Sequence, residues 1–480
     1  MAIRIRVVGR MAPPGLRRGV EGITQPRRGT IDGHIAVIGG CEGLAMPCPR
    51  LRHAVLASTG IGLALVVGCA PMPAPIPTTD SAAAAPSGRG GGDLAARVLV
   101  VAHRGASGYR PEHTLAAYEL AIAQGADFIE PDLVPTKDGV LIARHENELS
   151  ATTDVADRPE FAHRRTVKTI DGVRVEGWFS EDFTLAEIRT LRARTPWPTL
   201  RPEAAAENDR HPIPTFAEVL ALARRHPGVG VYPETKHPTY FERTGTRLDG
   251  TPIATDVTRR LVDPLVAEGF TDPGRVVIQS FEVGNLVRLR RELLPAAGLD
   301  LPLVQLLGNT DPARARPGDG FSAPFDLADP TLDPATLDAR YPGLAGALGR
   351  SPVGIGYDAL ATPAALAWMR RTYADGIGPW IPNLVPRVPI PNVPADANQP
   401  RARLTGAITP LLADARAAAL AVHPYTLRAE PAFLALDGVG EVQSVEAAAI
   451  QLLALGATGY FIDHPDRGVA ARTAWLARDR

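Results

Sequence analysis

The apolar run Val100-Val101-Ala102 leads straight into His103-Arg104-Gly105, so a stretch of strand character ends in a titratable ring and a fixed cation. A loop carrying Gly105 and Gly108 follows, then a second polar cluster, Pro111-Glu112-His113-Thr114. Glu130-Pro131-Asp132 ends another such run, and residues two apart on a strand point to the same side. Two carboxylates sharing one space repel each other, and holding both ionised favours a cation between them. Ligation by oxygen alone suits Ca²⁺ or Mg²⁺ rather than zinc. His145 ends the run 140–144, and Glu234-Thr235-Lys236 brings a third carboxylate and an ammonium to one side of a further strand. Gln279-Ser280-Phe281, His423-Pro424-Tyr425 and Phe461-Ile462-Asp463 close three more.

Singly, each of these is ordinary. An isolated Glu-x-Asp is more often a solvated pair at a turn, a histidine at a strand end is more often structural, and Glu-x-Lys is more often a surface ion pair. Polar, metal-capable or titratable residues end six or more runs, however, while the starts of those runs are bland. Independent accidents would not gather at one end of every strand. Parallel α/β folds carry out their chemistry at the carboxyl ends of their strands, and the joint pattern points to one shared site there.

Positioning such a site requires alternating elements. Short β-branched or apolar runs predict strands at 98–102, 128–133, 140–144, 229–232, 275–279, 303–307, 376–378, 418–422 and 459–462. Between them, Ala/Leu/Arg-rich stretches of helical period predict helices at 114–124, 184–192, 215–225, 253–268, 281–293, 363–373, 404–417 and 445–455, several opening on a capping Thr or Ser. This alternation and length predict an α/β fold, a TIM-type (β/α)₈ barrel occupying residues 94–480. One run is in excess, since Lys137-Asp138-Gly139 is too short to join two adjacent parallel strands. Either an antiparallel piece is present or that connection crosses without a helix. The polar segment at about 146–212 reads as an insertion over the mouth, with 308–352 and 380–403 as loops on the same face.

The 480 residues carry a net charge of −1, which gives no electrostatic case for nucleic acid or an anionic membrane surface. Cys41, Cys48 and Cys69 all precede residue 70, so the rest of the chain has no thiolate for a metal site or a nucleophile. Arg50 and Arg52, the apolar run 54–67 and Cys69 after Val66-Val67-Gly68 have the layout of an export signal, too short to span a membrane comfortably. The segment 46–68 resembles a bacterial lipoprotein signal, which implies cleavage before Cys69 and lipid attachment there. Residues 1–45 read as an extension from an overlong start, and the Pro/Ala/Gly/Ser-rich 69–93 as a tether. Export to the cell envelope, periplasmic or on the outer face of the membrane, is the expected location.

The ordered motifs resemble the glycerophosphodiester phosphodiesterase family, in its periplasmic or lipoprotein branch. They include His103-Arg104-Gly105-Ala106-Ser107-Gly108-Tyr109, Pro111-Glu112-His113-Thr114, Gln124-Gly125-Ala126-Asp127, Glu130-x-Asp132-Leu133-Val134, Thr136-Lys137-Asp138, Thr153-Asp154-Val155-Ala156-Asp157-Arg158, Glu234-Thr235-Lys236, Ala374 to Pro379 and Val422-His423-Pro424-Tyr425-Thr426-x-Arg428. The resemblance implies a TIM-type barrel with a small insertion after the third strand. It also implies a divalent metal on Glu130, Asp132 and Glu234, and His103 and His145 as the acid–base pair. The implied reaction releases sn-glycerol 3-phosphate and an alcohol from a small glycerophosphodiester. The chain departs from the family pattern in having His145-Glu146 where His-Asp is common, and in Pro131 within a strand.

Residue chemistry agrees. Arg104 has the planar fork that grips a phosphate, and Lys236 adds a second positive charge. One histidine would deprotonate the attacking hydroxyl and the other would protonate the departing alkoxide. The family resemblance implies that the attacker is the glycerol hydroxyl next to the phosphoester, giving a cyclic phosphate that water opens. His103 is expected as base and His145 as acid, with Gln279, His423, Tyr425 and Phe461 near the substrate. Calcium is the expected ion for an exported oxygen-lined site, with magnesium as the alternative. Competing readings are a phospholipase C or D-like barrel acting on intact lipids and, from another class, a non-catalytic surface-binding lipoprotein.

Overall fold

The computed structural model describes residues 94–478, except 96, 316–319, 329–332 and 395. The expected extension, signal, Cys69 and tether lie outside the described residues. In chain order the strands are β1 (Leu99–His103), β2 (Phe128–Glu130), β3 (Asp132–Pro135), β4 (Leu141–Ala143), β5 (Thr166–Ile170), β6 (Val173–Gly177), β7 (Gly230–Val231), β8 (Glu234–Thr235), β9 (Ile278–Ser280), β10 (Leu303–Leu307), β11 (Gly376–Pro379), β12 (Arg387–Pro389), β13 (Ala402–Leu404), β14 (Ala421–Val422), β15 (Ala435–Leu436) and β16 (Gly459–Ile462).

Two parallel ladders run β16-β1-β2-β7 and β14-β11-β10-β9-β8-β3. They belong to one sheet, because β2 and β3 are a single run split at Pro131, and β7 and β8 a single run split near Pro233. Each proline removes one N–H from the ladder. The carbonyls still accept, Pro131 from Glu234 N at 2.9 Å and Pro233 from Gln279 N at 3.0 Å. The circuit closes where Thr458 N donates to Val422 O and Phe461 N donates to Pro424 O, both at 3.0 Å. Eight parallel strand positions therefore form the expected barrel.

The excess run is β4. It returns antiparallel to β3, with Leu133 opposite Ala143 and Pro135 opposite Leu141, which is why a tight link suffices. The insertion thus follows the second barrel strand and its antiparallel return. It holds the hairpin β5–β6 and short helical turns such as Leu185–Ile188 and Pro202–Ala205. Several expected helices are shorter than their periodicity suggested, 184–192 holding only Leu185–Ile188 and 253–268 only Val257–Ala267. Residues 404–417 divide into β13 and the helix Leu411–Ala417, which starts after Pro410; 281–293 divides into Val283–Arg288 and a wider π-turn, Leu289–Leu293. β12, β13 and β15 form a small sheet of their own. Among the described residues no helix is long and apolar enough to cross a membrane.

Alternation along the strands sorts the barrel's two sides. Val100, Ala102, Ile129, Val231 and Ile278 pack outward under the helices. Leu99, Val101, Phe128, Tyr232, Val277, Val304, Ala421 and Phe461 fill the interior together with Leu94. Continuing the inward-facing positions toward the carboxyl ends gives His103, Glu130, Asp132, Glu234, Gln279 and Asp463.

Candidate active site

β1 ends where His103 pairs in register with Glu130 of β2. The next residue, Arg104, adopts φ 61°, which turns its amide onto Glu130 Oε2 at 2.8 Å. Its guanidinium donates to Glu112 Oε1 at 2.9 Å and stands 3.5 Å from Asp132 Oδ2. Gly105 follows at φ 82°, and a Cβ there would lie 2.7 Å from the backbone carbon of Ala117. Only glycine lets this loop lie against the first helix, Leu115–Ala123, so the position of Arg104 depends on it.

His103 Nδ1 donates to Asp463 Oδ1 at 2.6 Å. An ionised carboxylate only accepts, so the neutral ring keeps its lone pair on Nε2. Asp463 Oδ2 in turn accepts from Arg201 Nη2 at 2.5 Å and Arg428 Nε at 2.9 Å. Burial opposes its charge, but Arg428 and Arg201 hold the carboxyl well below its usual range. Burial, with Arg104 second, lowers the His103 ring to about 3.

Glu130, Asp132 and Glu234 are buried and offer oxygens that all lie within 4.8 Å of one another. Gln279 Nε2 donates to Glu130 Oε1 at 3.1 Å. Lys236 Nζ sits 2.6 Å from Glu234 Oε1 and 3.1 Å from Asp132 Oδ1. Burial and then repulsion by Asp132 and Glu234 push Glu130 well above the usual carboxylate range. Glu234 rises to about 8, chiefly through burial, although Lys236 pulls the other way. Asp132 lies well below its usual range, because Lys236 and the nearby histidines outweigh its burial. A cluster of oxygens that resists full ionisation without added positive charge fits a hard divalent cation.

His145 follows Arg144, which is fully buried and donates to the carbonyls of Ala143 at 2.8 Å, Thr152 at 2.9 Å and Glu112. The His145 ring stands 2.8 Å from Glu146 Oε1, and burial followed by Arg104 and Lys236 lowers it to about 4. The Arg104 charge thus acts on both catalytic candidates.

Of the four expected pocket residues, Gln279 joins the carboxylates. Tyr425 lies at the mouth, its ring edge-on to Phe281 at 5.9 Å and its hydroxyl donating to Leu307 O at 3.0 Å. His423 and Phe461 do not line the pocket. Both are buried a layer deeper, around Tyr232, whose hydroxyl lies 3.0 Å from His423 Nδ1 and whose ring lies 5.1 Å from that of Phe461. The inward-facing positions of a barrel run its full depth, and these two fall below the level of the mouth.

Sequence reasoning assigned no role to Glu112, His113, Asp463 or Arg201. His113 Nε2 reaches Asp132 Oδ2 at 2.9 Å while Nδ1 reaches the Tyr118 hydroxyl at 2.8 Å. The first three stood in view, Glu112 and His113 beside the first strand end and Asp463 at the last. Arg201 lies inside the insertion, where no local pattern marks it; it also donates to Glu430 at 2.5 Å and Ser107 O at 2.9 Å.

The site therefore combines an oxygen cluster that could hold a cation, two cations able to grip an anion, and two imidazoles with one nitrogen each held by a carboxylate. That set suits hydrolysis of a phosphodiester.

The sequence profile described as "Glycerophosphoryl diester phosphodiesterase family" matches residues 103–344. A glycerophosphodiester phosphodiesterase of Haemophilus influenzae is 32% identical over 387 residues, covering 77% of this chain and 88% of that protein. One of Arabidopsis thaliana is 32% identical over 338 residues, covering 70% and 76% respectively. Among solved structures, a putative glycerophosphoryl diester phosphodiesterase from Silicibacter pomeroyi aligns with TM-score 0.48 at 19% identity, covering 80% of this chain and 96% of that one.

Proposed function

The chain belongs to the glycerophosphoryl diester phosphodiesterase family, and from that premise we propose that it hydrolyses glycerophosphodiesters to sn-glycerol 3-phosphate and an alcohol. The observation that carries this reading is the convergence of Arg104, Lys236 and the Glu130–Asp132–Glu234 cluster beside His103 and His145 at one mouth of the barrel.

Glu130, Asp132 and Glu234 are the residues that would hold the metal ion. A divalent cation bound there neutralises phosphate charge and makes a nearby hydroxyl more acidic. Calcium is the ion we favour, since the cluster is all oxygen and the chain reads as exported. Arg104 and Lys236 bind the phosphate oxygens. His103, with Nδ1 committed to Asp463, uses Nε2 to take the proton from the glycerol hydroxyl adjacent to the phosphoester. His145 enters the step as an imidazolium with Nδ1 on Glu146, and gives its Nε2 proton to the departing alkoxide. The resulting cyclic phosphate is opened by water with the two roles reversed.

The deciding experiment is glycerol 3-phosphate release from glycerophosphocholine, glycerophosphoethanolamine and glycerophosphoglycerol, after chelation and then with Ca²⁺ or Mg²⁺ restored. Activity that survives chelation would remove the metal from the reaction. Turnover of phosphatidylinositol or sphingomyelin in place of these substrates would favour an enzyme of intact lipids.

The residues ahead of the barrel support a location. A signal at 46–68, Cys69 and a tether at 69–93 describe an exported lipoprotein of the cell envelope. Fatty-acid labelling of the protein, lost in Cys69→Ser, is the expected result. Equal labelling of both would rule out attachment at that sulfur.

A further inference from the structure

The inserted segment touches the catalytic machinery at a second place besides Arg201. β5 and β6 are joined through Asp171 and Gly172, with Asp171 at φ 46°. The Asp171 carboxylate accepts from His237 Nδ1 at 2.6 Å. The other nitrogen of that ring, Nε2, lies 3.3 Å from Glu146 Oε2, and Glu146 Oε1 lies 2.8 Å from His145 Nδ1. Four side chains thus form an unbroken row from the tip of the hairpin to a catalytic imidazole.

Their charges follow from hydrogen-bond chemistry. Ionised carboxylates only accept, so a ring with a carboxylate at each nitrogen carries both protons. His237 is an imidazolium held between two anions. Glu146 is the weak link, because its side chain must fold back on the residue before it and is 37% exposed. Without His237 on its outer oxygen, nothing else among these contacts keeps it from turning to water. The hairpin itself is braced: Lys168 of β5 lies 2.8 Å from both Glu181 and Asp182, and Tyr240 donates to Glu181 at 2.8 Å. Asp171 is therefore presented from a fixed support rather than from a loose tip. His237 directly follows Lys236 and adopts φ 47°, a conformation uncommon outside glycine, which its two ion pairs hold.

We propose that Asp171 and His237 are positioning residues for the reaction. They hold Glu146 against His145 Nδ1, and so keep the ring in one orientation with Nε2 toward the substrate and support the imidazolium that gives up its Nε2 proton. The inserted hairpin is in this respect part of the catalytic apparatus. The inference rests on the reading of His145 as one of the acid–base pair.

The test uses the full-length, metal-loaded protein. Asp171→Asn keeps shape and tolerates the left-handed backbone, but removes the charge that fixes His237. On glycerophosphocholine, kcat is expected to fall roughly 10- to 100-fold with KM nearly unchanged, the scale of loss when a reacting group is slightly misplaced. Asp171→Glu should restore part of the rate. His237→Gln, which cannot be a cation, should reproduce the loss if Asp171→Asn folds poorly. A glycerophosphodiester with a p-nitrophenyl leaving group keeps the residual rate of His145→Ala measurable, and in that background Asp171→Asn should cost nothing further. A wild-type kcat in folded Asp171→Asn, a loss confined to KM, or an equal loss without His145 would each overturn the proposal. If His145→Ala itself turns over glycerophosphocholine normally, the acid–base reading fails instead.

Discussion

His103 has one nitrogen committed to Asp463 and one left for chemistry, and this division decides how the ring can act. The Asp463 carboxylate is buried with Arg201 and Arg428 on its second oxygen, so it stays ionised and cannot present a proton to the ring. Replacing it by asparagine would offer an amide that can hold the opposite tautomer, with the lone pair on the wrong nitrogen. Asp463→Asn is expected to lower kcat by roughly 10²- to 10⁴-fold with little change in KM, the range typical of a lost or misdirected general base. Steady-state kinetics on glycerophosphocholine, beside a circular dichroism melt to follow folding, measure this. A variant with unchanged kcat would show that the ring does not depend on that carboxylate. His103→Ala and His145→Ala should each abolish turnover of glycerophosphocholine while calorimetry still records metal binding, because neither ring belongs to the oxygen cluster.

Among the elements, the turns and caps near β4 carry stability without carrying chemistry. Thr215 opens the helix Phe216–Arg224 with a reciprocal cap, its hydroxyl accepting from Glu218 N while the Glu218 carboxylate accepts from Thr215 N at 2.7 Å. Thr215→Ala should cost about 1 kcal/mol in urea unfolding and leave kcat unaltered. The inner layer of the barrel adds a pH dependence. Burial lowers the His423 ring to about 4, so between there and about 6.5 the unfolded chain binds a proton that the native one does not. Stability therefore rises with pH across this window and is lost on acidification, by up to roughly 3 kcal/mol from this one ring. Urea melts at a series of pH values should show a shallower acid loss for His423→Gln than for the parent protein. Equal slopes would mean that the ring is already protonated when buried.

At the scale of the whole molecule, the closed barrel brings Glu130, Asp132 and Glu234 together from two neighbouring strand runs, where Lys236, His113, Gln279 and the Arg104 amide hold them. Their mutual repulsion is a cost that a bound ion relieves, so metal should stabilise the native state by mass action. Saturating Ca²⁺ is expected to raise the melting temperature by a few degrees, and Glu130→Gln should reduce that rise; no shift on adding Ca²⁺ or Mg²⁺ would argue against a resident ion. Much of this arrangement was legible in the chain. Strand ends at His103, Glu130, Glu234 and Gln279 announced themselves because a run of apolar residues that stops at a polar one is a local pattern, and local patterns survive in one dimension. The alternation of runs and helical stretches likewise determined a barrel, and Lys137-Asp138-Gly139 showed that one run could not be an ordinary parallel strand. Depth and long-range partnership were not legible. His423 and Phe461 follow the same local pattern as Tyr425, yet they fall in the filled interior, since how far a strand rises through a barrel depends on its register with neighbours remote in sequence. Arg201 beneath His103 and Asp171 beside His237 are separated from their partners by tens to hundreds of residues. Tertiary structure alone could decide those pairings, because it is chain closure, not composition or period, that sets which buried charge meets which.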